Sequence, residues 1–283
     1  MSDLEVTERI AAAGPRLTAA ERRVAQVVLE RPQLVAFGTV ADLAAHAKAG
    51  AATVVRLAAK LGFDGFSALQ ASVQRDLTHQ LRPAVERIRE IGDHQPIERH
   101  REIAVANIAT TLNGVEQPHL DAVVALLSDL TRPVLVLAGD AQHGVATQFV
   151  HDLGALRGDV SIVCGSGIEV RRQLAVSSPA STLLVMDLRR YERWVLDAVA
   201  VSRGLGHVVV ALTDGPLSPL AMAAKHSFTL AAQSASPFDS QVGTLALLEL
   251  LVASVAEQIR DSAAPRLERV ESAWSATGAL ADG

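Results

Sequence analysis

The sequence predicts an α/β protein in two parts: an all-α N-terminal domain, then helices packed on both faces of a five-stranded parallel sheet. Three observations carry that expectation. Up to about Leu130 the apolar residues recur at helical spacing, whereas beyond Arg132 they come in short β-branched runs separated by helix-sized or turn-sized segments. Half of the residues are apolar but only 3% are aromatic, so Ala, Val and Leu must build the core, which suits helices on a parallel sheet. A chain of 283 residues divides most naturally into two domains.

The totals also exclude several classes. The single cysteine, Cys164, rules out an intramolecular disulfide and a cysteine-based zinc cluster, and it fits a reducing compartment. Residues 1–17 carry acidic side chains and no long apolar run, unlike a signal peptide. No stretch approaches the roughly 18 uninterrupted apolar residues of a membrane span, so a cytoplasmic protein with no membrane partner is expected. The net charge is −5, yet residues 1–90 are slightly basic and the acidic excess lies beyond them. A basic front on an acidic body is compatible with a polyanion partner and decides nothing alone.

In "LTAAERRVAQVVLERP", Thr18 and Glu21 stand at capping-box spacing, Ala20, Val24, Val27 and Val28 share a face, and Pro32 ends the element. In "TVADLAAHA", Thr39 is the expected N-cap with Asp42 in the first turn, and Val40, Leu43, Ala44 and Ala47 form an amphipathic stripe. A turn at 48–50 leads into a second helix, which Gly62 stops. Between Leu43 and Phe63 the chain holds cations and no carboxylate. On the second helix Val54, Leu57, Ala58 and Leu61 gather on one side. Ala51 and Ala52 at the start, with Thr53, Arg56 and Lys60, are read as the exposed side. Small residues let a helix enter the major groove closely, while Thr53, Arg56 and Lys60, assisted by Lys48 and Thr39, are placed for bases or phosphates. Two short helices joined by a tight turn are the helix-turn-helix arrangement, which binds double-stranded operator DNA. The competing interpretation of these residues alone is a solvated hairpin whose cations aid solubility.

"LTAAERRVAQVVLERP", "TVADLAAHA" and "ATVVRLAAKLGFDGFSAL" resemble, in order and spacing, the N-terminal domain of the RpiR/MurR family of bacterial transcriptional regulators. The resemblance covers about residues 15–75 and places the T-V-V-R segment in the recognition helix. It departs at the turn, where the family has Gly and Ser and this chain has Lys48 and Gly50.

Farther on, "PVLVLAG", "VSIVC", "STLLVMD", "HVVVAL" and "HSFTLA" are expected strands of βαβ units covered on both faces. Ligands of such sheets sit beyond the carboxyl ends of the strands, which singles out residues 139–143, 164–167, 187–192 and 213–215. This part resembles a sugar isomerase (SIS) domain over about residues 105–262, best in "LTDGPLSPLAMAAKHSFTL". Its phosphosugar motifs diverge. Asp140 and Gln142 stand at the second Gly and the Ser of G-x-G-x-S. Asp187, Arg189 and Glu192 replace the hydroxyls of S-x-S-G-x-T, and Arg190 replaces its Gly.

The expected ligand site comprises Asp140, Gln142, His143, Asp187, Arg189, Arg190, Glu192 and Ser240. An Arg fork suits phosphate or carboxylate, but Asp187 and Glu192 repel a dianion. A small anionic or zwitterionic effector, such as a sugar phosphate or sugar acid, fits if Arg189 or Arg190 holds its anionic end. The alternative is that the four charges pair with one another and leave no ligand. Ser240 is better read as a helix cap, and Cys164 as a small buried residue. "GSG" at 165–167 is a short loop common in α/β turns.

The expected domains are 1–78 for DNA binding, 79–104 as helical linker, 105–262 for effector binding and dimerisation, and 263–283 as tail. A ligand-responsive regulator, homodimeric or homotetrameric, without catalytic residues, metal or cofactor, is the resulting expectation. A sugar-phosphate isomerase using Glu192 and His143, or a regulator with a dead sensor pocket, remains open beside it.

Overall fold

Local capping fixes the first helices of the computed structural model, which describes residues 6–30, 32–80, 83–90, 96–216 and 218–279. Helix α1 is Val6–Ala13, α2 Ala19–Glu30 and α3 Pro32–Phe37. The capping box that opens α2 is formed: Glu21 accepts from the Thr18 amide at 2.8 Å and from its hydroxyl at 2.9 Å. Pro32 does not merely end α2, because it begins the short helix α3, as a proline can where no preceding carbonyl needs its amide.

Thr39 and Asp42 form the second capping box and start α4, Val40–His46, which a turn joins to α5, Ala51–Lys60. At the end of α5 the amide of Phe63 donates to Ala58 O (2.9 Å) and that of Gly62 to Ala59 O (3.0 Å). This closing motif needs a left-handed residue, and Gly62 supplies it at φ +81°. Arg9 seals the same end by donating to Leu61 O at 3.1 Å and stacking its guanidinium over Phe63. Helix α6 is Gly65–Gln80. One apolar cluster unites these helices; Val24, Val35, Leu43, Val54, Leu57 and Leu69 in it are wholly buried, each worth about 1.5–3 kcal/mol against exposure.

The chain divides into two units, Met1–Glu86 and Arg87–Gly283. Helix α7 is Ala84–Arg87, α8 Pro96–Asn113 and α9 Gln117–Ser128. Residues 81–82 and 91–95, including Gly92, where an interruption was expected, lie outside the described residues, as does Leu217.

All five expected strands form: β1 Val134–Ala138, β2 Val160–Ile162, β3 Thr182–Met186, β4 Val208–Thr213 and β5 His226–Thr229. They pair in parallel in the order β2-β1-β3-β4-β5. Because strand side chains alternate between faces, Val134, Val136, Leu184, Met186 and Val210 point into one layer and Leu135, Leu137, Leu183, Val185 and Val209 into the other. The first layer holds α9, α10 (His143–Leu156) and α14 (Val242–Gln258); the second holds α11 (Gly167–Val176), α12 (Arg193–Gly204) and α13 (Pro219–Ala223). On α14 Leu248 is buried in the core, whereas Leu245 is exposed.

The segment expected as a tail is helical as α15, Arg260–Thr277, anchored where Arg266 donates to the carbonyls of Gly154 and Ala155 at 3.1 Å. No single described helix is long and apolar enough to cross a membrane. Cys164 is exposed rather than buried: Val163 is the last residue here to donate to β1, at Val136 O, and to enter the core. The 165–167 loop is occupied by its own chemistry: Ser166 caps α11, and Glu169 accepts the Ser166 amide at 2.8 Å.

Candidate nucleic-acid interface and ligand site

Helix α5 shows Ala51, Ala52, Val55, Arg56, Ala59 and Lys60 to solvent. Arg56 donates to Thr53 Oγ1 at 3.1 Å, which steadies the guanidinium at the surface. Thr53 itself is buried, contrary to the exposed position read from its spacing to Arg56; it also lies four residues before Leu57 and sides with the core. It is a positioning partner of Arg56. Lys60, expected to serve bases or phosphates, is engaged within the fold. Its Nζ lies 2.7 Å from Glu21 Oε2 and ties the end of α5 to the start of α2. Glu21 is buried, and the Lys60 hydrogen bond, followed by those of Thr18, lowers its pKa to about 2.

Lys48 is exposed at φ +46°, the left-handed position that closes α4, where the Ala49 amide donates to Ala44 O. Arg23 holds this turn by donating to the carbonyls of Ala47 (3.2 Å) and Lys48 (3.1 Å). Arg22, Arg23, Gln26, His46 and Lys48 line a shallow groove there. Arg22 and Arg23 sit on α2, outside the helix pair that spacing picks out, and the adjacent cations of "ERR" are their signal in the sequence. Thr39 is exposed, with its side chain engaged in capping α4. Lys48→Gly is expected to have opposite effects on two measurements. Relief of the left-handed lysine raises stability by about 1 kcal/mol, while the slope of log affinity against log salt shallows by about one. Denaturant unfolding and a salt titration of DNA binding read the two.

The second site lies where strand order reverses, between the carboxyl ends of β1 and β3. Asp187 is buried at the end of β3 and accepts from the amides of Leu188 (2.9 Å) and Glu192 (2.8 Å). Burial pushes its pKa up to about 6, opposed by those two amides and reinforced by the Glu192 and Asp214 charges. Glu192 reaches across to β1, accepting from the Asp140 amide at 2.5 Å, and its other oxygen accepts from the Trp194 indole. Gly139 is the floor between them: a Cβ there would lie 2.8 Å from Asp187 Oδ1 and 3.0 Å from Glu192 Oε1.

Asp187, Glu192 and the Asp140 amide therefore come together as expected. Gln142 is buried nearby in sequence, with Oε1 lacking a hydrogen-bond partner among the described residues. His143 and Arg190 are exposed. Ser240 accepts from the Val242 amide at 3.4 Å but stands one residue before Gln241, the N-cap of α14, so it is not the cap expected of it. The four loop charges do not all pair with one another. Arg189 instead meets Asp239 at 2.6 Å, a carboxylate that local spacing did not flag. Tyr191, whose hydroxyl donates to Asp214, extends the site toward β4; burial and then the Asp214 charge raise its phenol pKa.

A helix-turn-helix module followed by a parallel α/β sensor domain defines a ligand-sensing regulator of transcription. Comparisons with known proteins agree. Residues 4–80 match the helix-turn-helix domain of the rpiR family, and residues 127–254 match the SIS domain. An uncharacterised helix-turn-helix-type transcriptional regulator of Haemophilus influenzae is 24% identical over 268 residues, covering 92% of each chain. The sugar isomerase domain of an RpiR transcription factor from Sphaerobacter thermophilus is 27% identical, with a TM-score of 0.57 over 63% of this chain and 99% of that one. The Vibrio vulnificus NanR protein, solved with ManNAc-6P, shares the fold over 98% of this chain and 99% of its own, at 20% identity and a TM-score of 0.58. The chain thus joins a helix-turn-helix domain of the rpiR family to a SIS domain.

Proposed function

We propose that the chain is a dimeric, non-catalytic intracellular regulator that binds operator DNA through α5 and senses a small hydroxylated anion at the ends of β1 and β3. The observation that carries the DNA half is the exposed strip of small residues on α5 around an Arg56 steadied by Thr53, a helix that carries no carboxylate, with a second cationic surface at the groove of Arg22, Arg23 and Lys48. The acidic pair Asp187 and Glu192 suits the hydroxyl or ammonium groups of an effector, and Arg189 suits its anionic end. Both oxygens of Glu192 already accept hydrogen bonds, which favours a positioning role over that of an isomerase base.

The test is fluorescence anisotropy against a genomic fragment library at several salt concentrations. A selected fragment whose log affinity falls with log salt by about 0.9 per phosphate contact is the expected result. Absence of any salt-sensitive preference, with and without a sugar phosphate of the kind held by the Vibrio protein, overturns the proposal.

A further inference from the structure

Two arginines distant in sequence converge on one carboxylate oxygen. Arg87, the first residue of the C-terminal unit, places Nη1 2.7 Å from Asp239 Oδ1, and Arg189 places Nη1 2.6 Å from the same atom. The side chains are only 18%, 9% and 15% exposed for Arg87, Arg189 and Asp239. The Nε atom of each arginine is buried without a hydrogen-bond partner among the described residues. Two cations against one carboxylate leave a positive excess in a poorly solvated place, and an unmet buried donor adds to the cost. Guanidinium forks relieve both by pairing with the oxygens of a phosphate or carboxylate.

The loop carrying Arg189 is under restraint. Arg190 N donates to Leu188 O at 2.6 Å around Arg189, whose φ of +60° is the left-handed region that non-glycine residues adopt only when held there. The ion pair to Asp239 supplies a hold from outside the turn. Asp239 in turn belongs to a segment fastened to α8, where Asn107 pairs with the backbone of Gln233 and Thr111 accepts from the Ala231 amide.

We propose that Asp239 is a built-in stand-in for the anionic group of the effector. An incoming phosphate or carboxylate takes the two guanidinium groups, repels Asp239 from their shared position and opens both ion pairs. Arg87 thereby exchanges a carboxylate fixed to the 231–240 segment for a ligand that is free to move, which loosens the segment through which the chain leaves the N-terminal unit. The anion favours the open form because only that form offers it both arginines, which is the difference in affinity that any such shift requires. This inference rests on the ligand-sensing reading and adds Arg87 and Asp239 to it as the route of the signal.

Brief hydrogen–deuterium exchange of the full-length protein tests the idea, with saturating glucose 6-phosphate, gluconate or inorganic phosphate, and with thermal shift as the parallel measure of binding. Asp239→Asn without any anion is expected to raise exchange of the 83–90 peptide about fivefold, the effect of losing one local restraint. At least one anion should do the same to the wild type and add nothing to the variant. A response to glucose 6-phosphate and phosphate assigns a phosphate, and a response to gluconate alone assigns a carboxylate. Arg87→Gln repeats the loosening if Asp239→Asn misfolds. Unchanged protection of 83–90 in folded variants, an anion that stabilises the protein without moving that peptide, or no effect of any of the three anions overturns the proposal. Operator selection by the same preparation judges the regulator reading separately: selection that persists while the peptide stays silent sinks only the latch.

Discussion

Arg56→Ala weakens operator binding by about 1–3 kcal/mol, or about 5-fold to 150-fold at fixed salt, with relaxed preference at one base position. The expectation follows from exposure and restraint together. Arg56 stands between Ala52 and Ala59 on the open face of α5, and the Thr53 hydroxyl at 3.1 Å limits the rotamer freedom that binding would otherwise cost. Lys60→Met is the contrasting variant. It leaves Glu21 buried without its ammonium partner, so it lowers stability at neutral pH more than base preference, and the loss shrinks as acid protonates Glu21. Glu21 titrates lower in the fold than in the unfolded chain. Its contribution is therefore present above about pH 4.5 and lost as pH falls toward 2. Competition titrations with operators mutated one base pair at a time check the first claim. Equal affinity of Arg56→Ala and wild type for every operator refutes it.

Gly243→Ala is expected to cost the C-terminal unit about 1–3 kcal/mol, toward the upper end of what overpacking does. A Cβ on Gly243 would lie 2.6 Å from the carbonyl of Ala231 and 2.6 Å from Thr111 Oγ1. Neither neighbour yields easily: one is backbone, and the other is committed to the Ala231 amide. Both tryptophans, Trp194 and Trp274, lie in this unit, so tryptophan fluorescence during denaturant unfolding reports on it selectively. Gly144→Ala is the control, a helical glycine with nothing within 4 Å of the new methyl, where alanine is neutral or slightly stabilising. Coincident transitions for Gly243→Ala and wild type refute the close-packing argument.

The fold was largely legible because its signals are local. The boxes at Thr18–Glu21 and Thr39–Asp42 and the five β-branched runs each declare themselves within a few residues. The candidate sites were legible only in part, since pairing across sequence is not written in spacing. Lys60 meets Glu21 from 39 residues away, and Arg189 meets Asp239 from 50. Thr53 was misplaced for a different reason: three residues from Arg56 and four from Leu57, it sits on the border of two faces, and packing decided between them. Cys164 fell outside its strand because β2 is only three residues long.

The Asn107 side chain gives to the carbonyl of Gln233 at 2.7 Å and takes from its amide at 3.1 Å, doing for that backbone what a neighbouring strand would do. Gln233 lies four residues past β5, so Asn107 ties the exit of the last strand back to α8. Shortening Asn107 therefore frees a stretch of backbone whose polar groups this one amide now satisfies.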